Sequence, residues 1–189
     1  SMLLRQERYS EAATHYRRAA VRFANANDRL HSVMADIGLA GVLSWQFEFD
    51  EAMRIYERAD ARVRAHGLSS LQGVIDSSRG LLELHRGRYA PALRWLESAL
   101  REFEREGAAH RLVEVRMDLA AAYQALNLLP EAASLFELAI EGGRDGEMAV
   151  EQAWAAADLA LTLVKLDRAD EAHERLKQAR ALFESQGHA

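Results

Sequence analysis

The chain repeats itself at a fixed spacing of forty residues. Ala12, Ala52, Ala92, Ala132 and Ala172 recur at that interval, and so do Ala19, Ala59, Ala99, Ala139 and Ala179. Between the two alanines of each copy stands a large apolar residue: Tyr16, Tyr56, Leu96, Phe136 and Leu176. Glu11, Glu51, Pro91, Glu131 and Glu171 precede the first alanine of each copy, and a further small residue recurs at Ala40, Gly80, Ala120 and Ala160. Five copies in phase make coincidence negligible. A repeat of this length constrains the chain to similar units that bury their apolar faces by stacking on one another.

Ala, a large apolar residue at +4 and Ala at +7 share one face of an α-helix. Such a small–large–small stripe lets a second helix come close and clasp the large side chain. Gly67, Gly107 and Gly187, with Asn27 at the same phase, suit helix C-terminal caps. Asp50 and Asp170 stand where N-caps are expected, Pro91 falls near a helix start and Pro130 just before one. The spacing predicts A helices over 29–46, 69–86, 109–127 and 149–166, and B helices over 9–26, 50–66, 90–106, 130–142 and 170–186. Residues 2–8 read as the last turn of an earlier A helix. Short connections such as Arg86-Gly87-Arg88 make each pair antiparallel. The fold class is therefore all-α, a superhelical solenoid of antiparallel helix pairs. It forms one array over 1–189, with a half repeat at 1–27 and full repeats at 28–67, 68–107, 108–147 and 148–187.

Composition agrees with this reading. Only two prolines interrupt a chain that is 49% hydrophobic, and β-branched runs bounded by turn residues are missing. The net charge of -5 argues against nucleic-acid binding, which needs a strongly basic face. The absence of cysteine excludes a disulfide scaffold, a thiolate metal site and a cysteine nucleophile, and makes a cytoplasmic location the default expectation. No apolar run reaches the ~20 residues of a membrane helix, and the longest candidate, 153–164, contains Asp158. The seven histidines form no metal-binding spacing, so His110 and Glu114 read as a surface pair. The stretch Gly142-Gly143-Arg144-Asp145-Gly146 lacks a phosphate-loop lysine and reads as a flexible connection. No enzyme, cofactor or metal is expected.

These residues carry a resemblance. Leu119-Ala120-x-x-Tyr123 followed by Ala132, Phe136 and Ala139, and Gly87-x-Tyr89-x-x-Ala92, resemble a tetratricopeptide repeat (TPR) array. The forty-residue unit is longer than that family's usual thirty-four. It is similar to the longer repeats of kinesin light chain-type scaffolds, bacterial peptide-pheromone receptors and large bacterial transcription activators. The resemblance implies a non-enzymatic scaffold that holds a protein or peptide on the concave face of its A helices. The alternative it implies is a ligand-sensing regulatory module of a larger bacterial signalling or transcription-regulating protein. By phase, the groove would include Met34 and Ile37, then Leu81 and His85, then Glu114, Met117, Asp118 and Gln124, and finally Trp154, Asp158 and Lys165. Such a groove would be apolar in its first half and acidic in its second, suiting a segment with Arg or Lys beside apolar anchors. Arg111, Arg116 and Arg144 are alternative partners for the carboxylates. The Lys, Asn and Arg clamp of the chaperone-binding members is absent, since the matching positions hold Ile37, Gly41, Ser78, Glu114 and Asp118.

Two features stand apart. Arg79 and Glu83 occupy positions expected to be apolar. Either the helix rotates to place Leu71, Val74, Ile75, Leu81 and Leu82 inward, or the polar pair faces a ligand. The last B helix, with Leu176, Ala179 and Phe183, has no polar capping helix after it. Solenoids need capped ends. The expectation is a piece of a longer protein, or a homodimer that buries an end.

Overall fold

Residues with high helix propensity run almost without a break between single left-handed residues, and that alternation builds the fold. A computed structural model describes residues 2–143 and 148–186, with side chains from residue 8 onward. Nine α-helices and no strand occur among the described residues. They are α1 (Met2–Asn25), α2 (Arg29–Trp45), α3 (Phe49–His66), α4 (Gln72–His85), α5 (Tyr89–Glu106), α6 (Ala109–Ala125), α7 (Leu129–Gly142), α8 (Ala149–Lys165) and α9 (Ala169–Ser185). A 3₁₀ turn, Ser69–Leu71, leads into α4. The chain divides into two compact units, Ser1–Trp95 and Leu96–Ala189.

Asn27, Phe47, Gly67, Gly87, Gly107, Asn127 and Asp167 all take positive φ, from 57° to 71°. The following N–H then turns back to a carbonyl five residues earlier, as in Glu48 to Leu43 (2.9 Å), Leu68 to Val63 (3.0 Å) and Leu128 to Tyr123 (2.9 Å). This is the Schellman closure, and it sends the chain straight into the next helix. Gly67 caps α3 as expected, whereas Gly187 lies outside the described residues. Asp50 and Asp170 are not caps. Each sits inside the first turn of α3 or α9, where its charge favours the helix dipole instead. Pro130 likewise falls within the first turn of α7 rather than before it. Asp28 does cap α2, accepting the His31 N–H at 3.1 Å.

The first helix departs from the expected pattern. Met2–Asn25 is continuous, so residues 2–8 extend a B-type helix and do not close an earlier A helix. No glycine or proline lies within that span to stop it, and local propensity prevails over repeat phase.

Each unit has its own core. Val33, Ala40, Ala52, Tyr56, Ala59, Ile75 and Leu82 anchor the first. Val113, Ala120, Ala132, Phe136, Ala139, Leu159 and Ala160 anchor the second. From the second copy onward the repeated alanines are buried, as close helix approach requires, while Ala12 and Ala19 of the first are partly exposed. The large residues between them follow a common register. The Tyr16 ring covers Gly38 so closely that a Cβ there would collide with it. The Tyr56 hydroxyl meets Ser78. Each B-helix residue thus faces a position twenty-two residues later, 16 with 38 and 56 with 78. The same spacing matches Leu96 with Asp118 and Phe136 with Asp158.

Arg79 and Glu83 follow neither sequence alternative. Leu71, Ile75 and Leu82 are buried as a rotated helix requires, yet Arg79 and Glu83 are buried beside them at 4% exposure each. Arg79 lies 3.5 Å from Asp60 of α3, with its guanidinium 4.7 Å over the Trp95 ring. Glu83 is within 3.6 Å of Arg88 and 3.8 Å of Arg86. Charges placed this deep need partners, and neighbouring segments supply them.

Candidate partner-binding surfaces

In the first unit the expected residues come from α2 (Met34, Ile37) and α4 (Leu81, His85). Ile37, Leu81 and His85 converge on a pocket of about 110 Å³. Met34 is half exposed and stands outside it. The pocket also takes in Gly41, Ser44, Trp45 and Tyr56. Of these, Ser44, Trp45 and Tyr56 are not among the groove residues expected from the sequence, where Tyr56 reads as part of the helix-packing stripe. Trp45 was within reach, because it has the same repeat phase as His85 and Lys165. The Trp45 and His85 rings lie 4.7 Å apart, and burial holds the His85 imidazole below its ordinary pKa. Burial pushes the Tyr56 phenol up to about 12. Ser78 donates its hydroxyl proton to the Val74 carbonyl at 2.7 Å.

In the second unit, α6 carries Glu114, Met117, Asp118 and Gln124, and α8 carries Trp154, Asp158 and Lys165. Two contacts pin these helices side by side. His110 Nδ1 lies 2.9 Å from Met148 Sδ at one end, and Gln124 Nε2 donates to Thr162 Oγ1 at 2.8 Å at the other. Both join residues thirty-eight apart. Asp118 in mid-α6 is therefore level with the middle of α8, where Asp158 stands. Burial, with Glu114 one turn away, pushes the Asp118 carboxyl up to about 7. Burial also raises the Asp158 pKa. The register seen at 16/38 and 56/78 matches these two positions with Leu96 and Phe136, whose side chains carry no hydrogen-bonding group.

Arginine does not neutralise this pair among the described residues. Arg111 goes to Glu114 at 2.9 Å, with His110 3.5 Å away on the same carboxylate. Arg116 donates to the Leu138 carbonyl at 3.4 Å, and Arg144 lies outside the described residues. Around the acidic patch, Met117 packs partly into the core. The Gln124 amide is committed to Thr162. Trp154 is half exposed and meets the edge of Phe183 at 5.3 Å. Lys165 is exposed at the last position of α8. The arrangement holds two carboxyls whose charged form burial disfavours. Among the described residues no group of His, Asp or Glu side chains is placed to hold a metal ion, and no helix is long and apolar enough to cross a membrane.

No protein-family model matches the chain, and no curated protein does. Solved structures do. BtubC (BKLC) from P. vanneervenii is 21% identical, with a TM-score of 0.71 over 100% of this chain and 85% of that one. A Podosopora anserina putative kinesin light chain with nearly identical TPR-like repeats is 18% identical, with a TM-score of 0.69 over 98% and 92%. The apo form of RapI is 14% identical, with a TM-score of 0.76 over 96% of this chain and 51% of RapI. The fold these share is the TPR-like helical repeat, and the chain has that all-α fold.

Proposed function

We propose that this chain is a non-enzymatic scaffold that binds an extended protein or peptide segment along its A helices. The acidic patch of the second unit receives an Arg or Lys side chain. One observation carries the reading: Asp118 and Asp158 are carboxyls that burial disfavours as anions, on adjacent helices, with no ion-pair partner among the described residues. Left unpaired, such groups cost stability, and an incoming guanidinium removes that cost with bidentate hydrogen bonds. The TPR-like neighbours support the same reading, since repeat surfaces of this kind serve protein interaction. Arg111, already held by Glu114, forms one rim of the patch and keeps Glu114 from being the main receiver.

The test is calorimetric titration with a library of short peptides that differ in having Arg, Lys or citrulline at one position. Arg peptides should bind and citrulline peptides should not. Because binding ionises a carboxyl that titrates near 7, the heat near neutral pH should depend on the buffer's ionisation enthalpy. Asp118→Asn with Asp158→Asn should abolish both effects. Equal binding of citrulline peptides, or full binding by the double variant, refutes the assignment.

We propose further that the outer apolar surface of α8 and α9 pairs with the same surface of a second copy. Trp154, Leu161 and Val164 of α8 and Leu176 of α9 are each more than half exposed. Leu176 has the repeat phase of Phe136, Leu96 and Tyr56, all of which are buried.

A further inference from the structure

The small pocket of the first unit has a chemistry of its own. Its walls are apolar, from Ile37, Leu82 and the Trp45 ring. Its polar groups are uncharged. Ser44 is 5% exposed and lines the pocket, yet its Oγ has no hydrogen-bond partner among the described residues. The Ser78 hydroxyl donates to the Val74 carbonyl, and the Tyr56 hydroxyl beside it can both donate and accept. His85 contributes an imidazole that burial favours in the neutral form, one nitrogen donating and the other accepting. Among the described residues no carboxylate, lysine or arginine lines the space.

We propose that this pocket receives a carboxamide side chain, glutamine or asparagine, from the bound segment. The inference rests on the peptide-binding reading above. A charged tip would be desolvated there with no counter-charge. A wholly apolar tip would leave the Ser44 hydroxyl buried and unpaired. A carboxamide has one acceptor and two donors on a planar head, matching donors and acceptors that lie on different walls of the same pocket. Its short apolar stem suits the walls contributed by Ile37 and Leu82.

The probe is propionamide, which is the glutamine side chain alone, titrated into ¹⁵N-labelled protein. Saturable shifts are expected at the backbone amides of Ser44 and His85 and at the Trp45 indole N–H. The dissociation constant should be on the order of millimolar for so small a ligand. Propionate, which differs in charge, should bind at least about ten-fold more weakly. Gly41→Ala supplies the control. Its methyl would stand 3.8 Å from the Tyr56 hydroxyl, so it narrows the pocket without collision. Alanine also favours the helix over glycine. That variant should lose the propionamide shifts while its thermal midpoint stays level or rises. The absence of saturable shifts in the wild-type protein, equal binding of propionate, or unchanged binding by Gly41→Ala would each overturn the proposal. Arg-peptide binding that survives such a result would confine the failure to this pocket, because the acidic patch is tested by its own titration.

Discussion

Asp118 shows how one residue links stability to function. Its folded pKa, about 7, stands well above the model value of 3.8. Between those values the folded protein keeps a proton that the unfolded chain has released, so stability falls as pH rises through that window. Above pH 7 the full cost is present, and below about 4 it vanishes. Asp118→Asn, neutral at every pH and nearly the same shape, should therefore stabilise the protein most at pH 8. The gain is at most about 4 kcal/mol, the equivalent of three pKa units, and it should shrink toward nothing at pH 4. Denaturant titrations of both proteins from pH 4 to 8 measure this directly. A pH-independent difference would mean that the carboxyl titrates normally. The stability sacrificed at neutral pH is what an arriving guanidinium restores.

At the scale of helices, the repeated stripe shows what was legible in the sequence. Alternation of periodic apolar residues with Gly or Asn located the starts of α3, α5, α7 and α9 to within a residue of their observed positions. That works because period and cap are local signals. The unbroken α1 was misread because repeat phase was weighed above an uninterrupted run of helix formers. The burial of Arg79 and Glu83 was illegible for a different reason. Arg79 finds Asp60 and Trp95 on other helices, and Glu83 finds Arg86 and Arg88 only where the turn after α4 folds back, and a buried charge is tolerable only once those partners are in place. The site was partly legible in the same way. Phase located Ile37, Leu81, His85, Asp118 and Asp158, but Ser44 and Tyr56 join the pocket through packing between helices. The clasp register itself gives a prediction. Tyr56 meets Ser78 with a hydroxyl, and the same spacing matches Asp158 with Phe136, a bare ring. Phe136→Tyr should give the Asp158 carboxyl a donor, lower its pKa toward the ordinary value and stabilise the fold by about 1–2 kcal/mol. Carboxyl ¹³C titration and chemical denaturation report the two effects. A loss of stability with an unmoved pKa would show that the hydroxyl points elsewhere and merely overpacks the core.

For the molecule as a whole, the decisive question is what its apolar surface does in solution. A net charge of -5 keeps copies modestly repelled, and most of the surface ion pairs are local i,i+3 or i,i+4 contacts that add little. The exposed apolar side chains of α8 and α9 are different, because four large ones, Trp154, Leu161, Val164 and Leu176, lie on two helices packed against each other. A patch of this kind pairing with its own copy makes a two-fold contact that closes after two chains. Sedimentation equilibrium should then show a reversible dimer at concentrations on the order of 10–100 μM. Val164→Glu combined with Leu176→Glu places like charges across that contact and should return the protein to monomer. Both positions are already more than half exposed, so helicity and thermal midpoint should hold. Peptide binding at Asp118 and Asp158 should survive in the monomer if the patch and the pairing surface work independently. A wild-type protein that stays monomeric across that range would remove the pairing and leave the peptide surfaces to stand on their own tests.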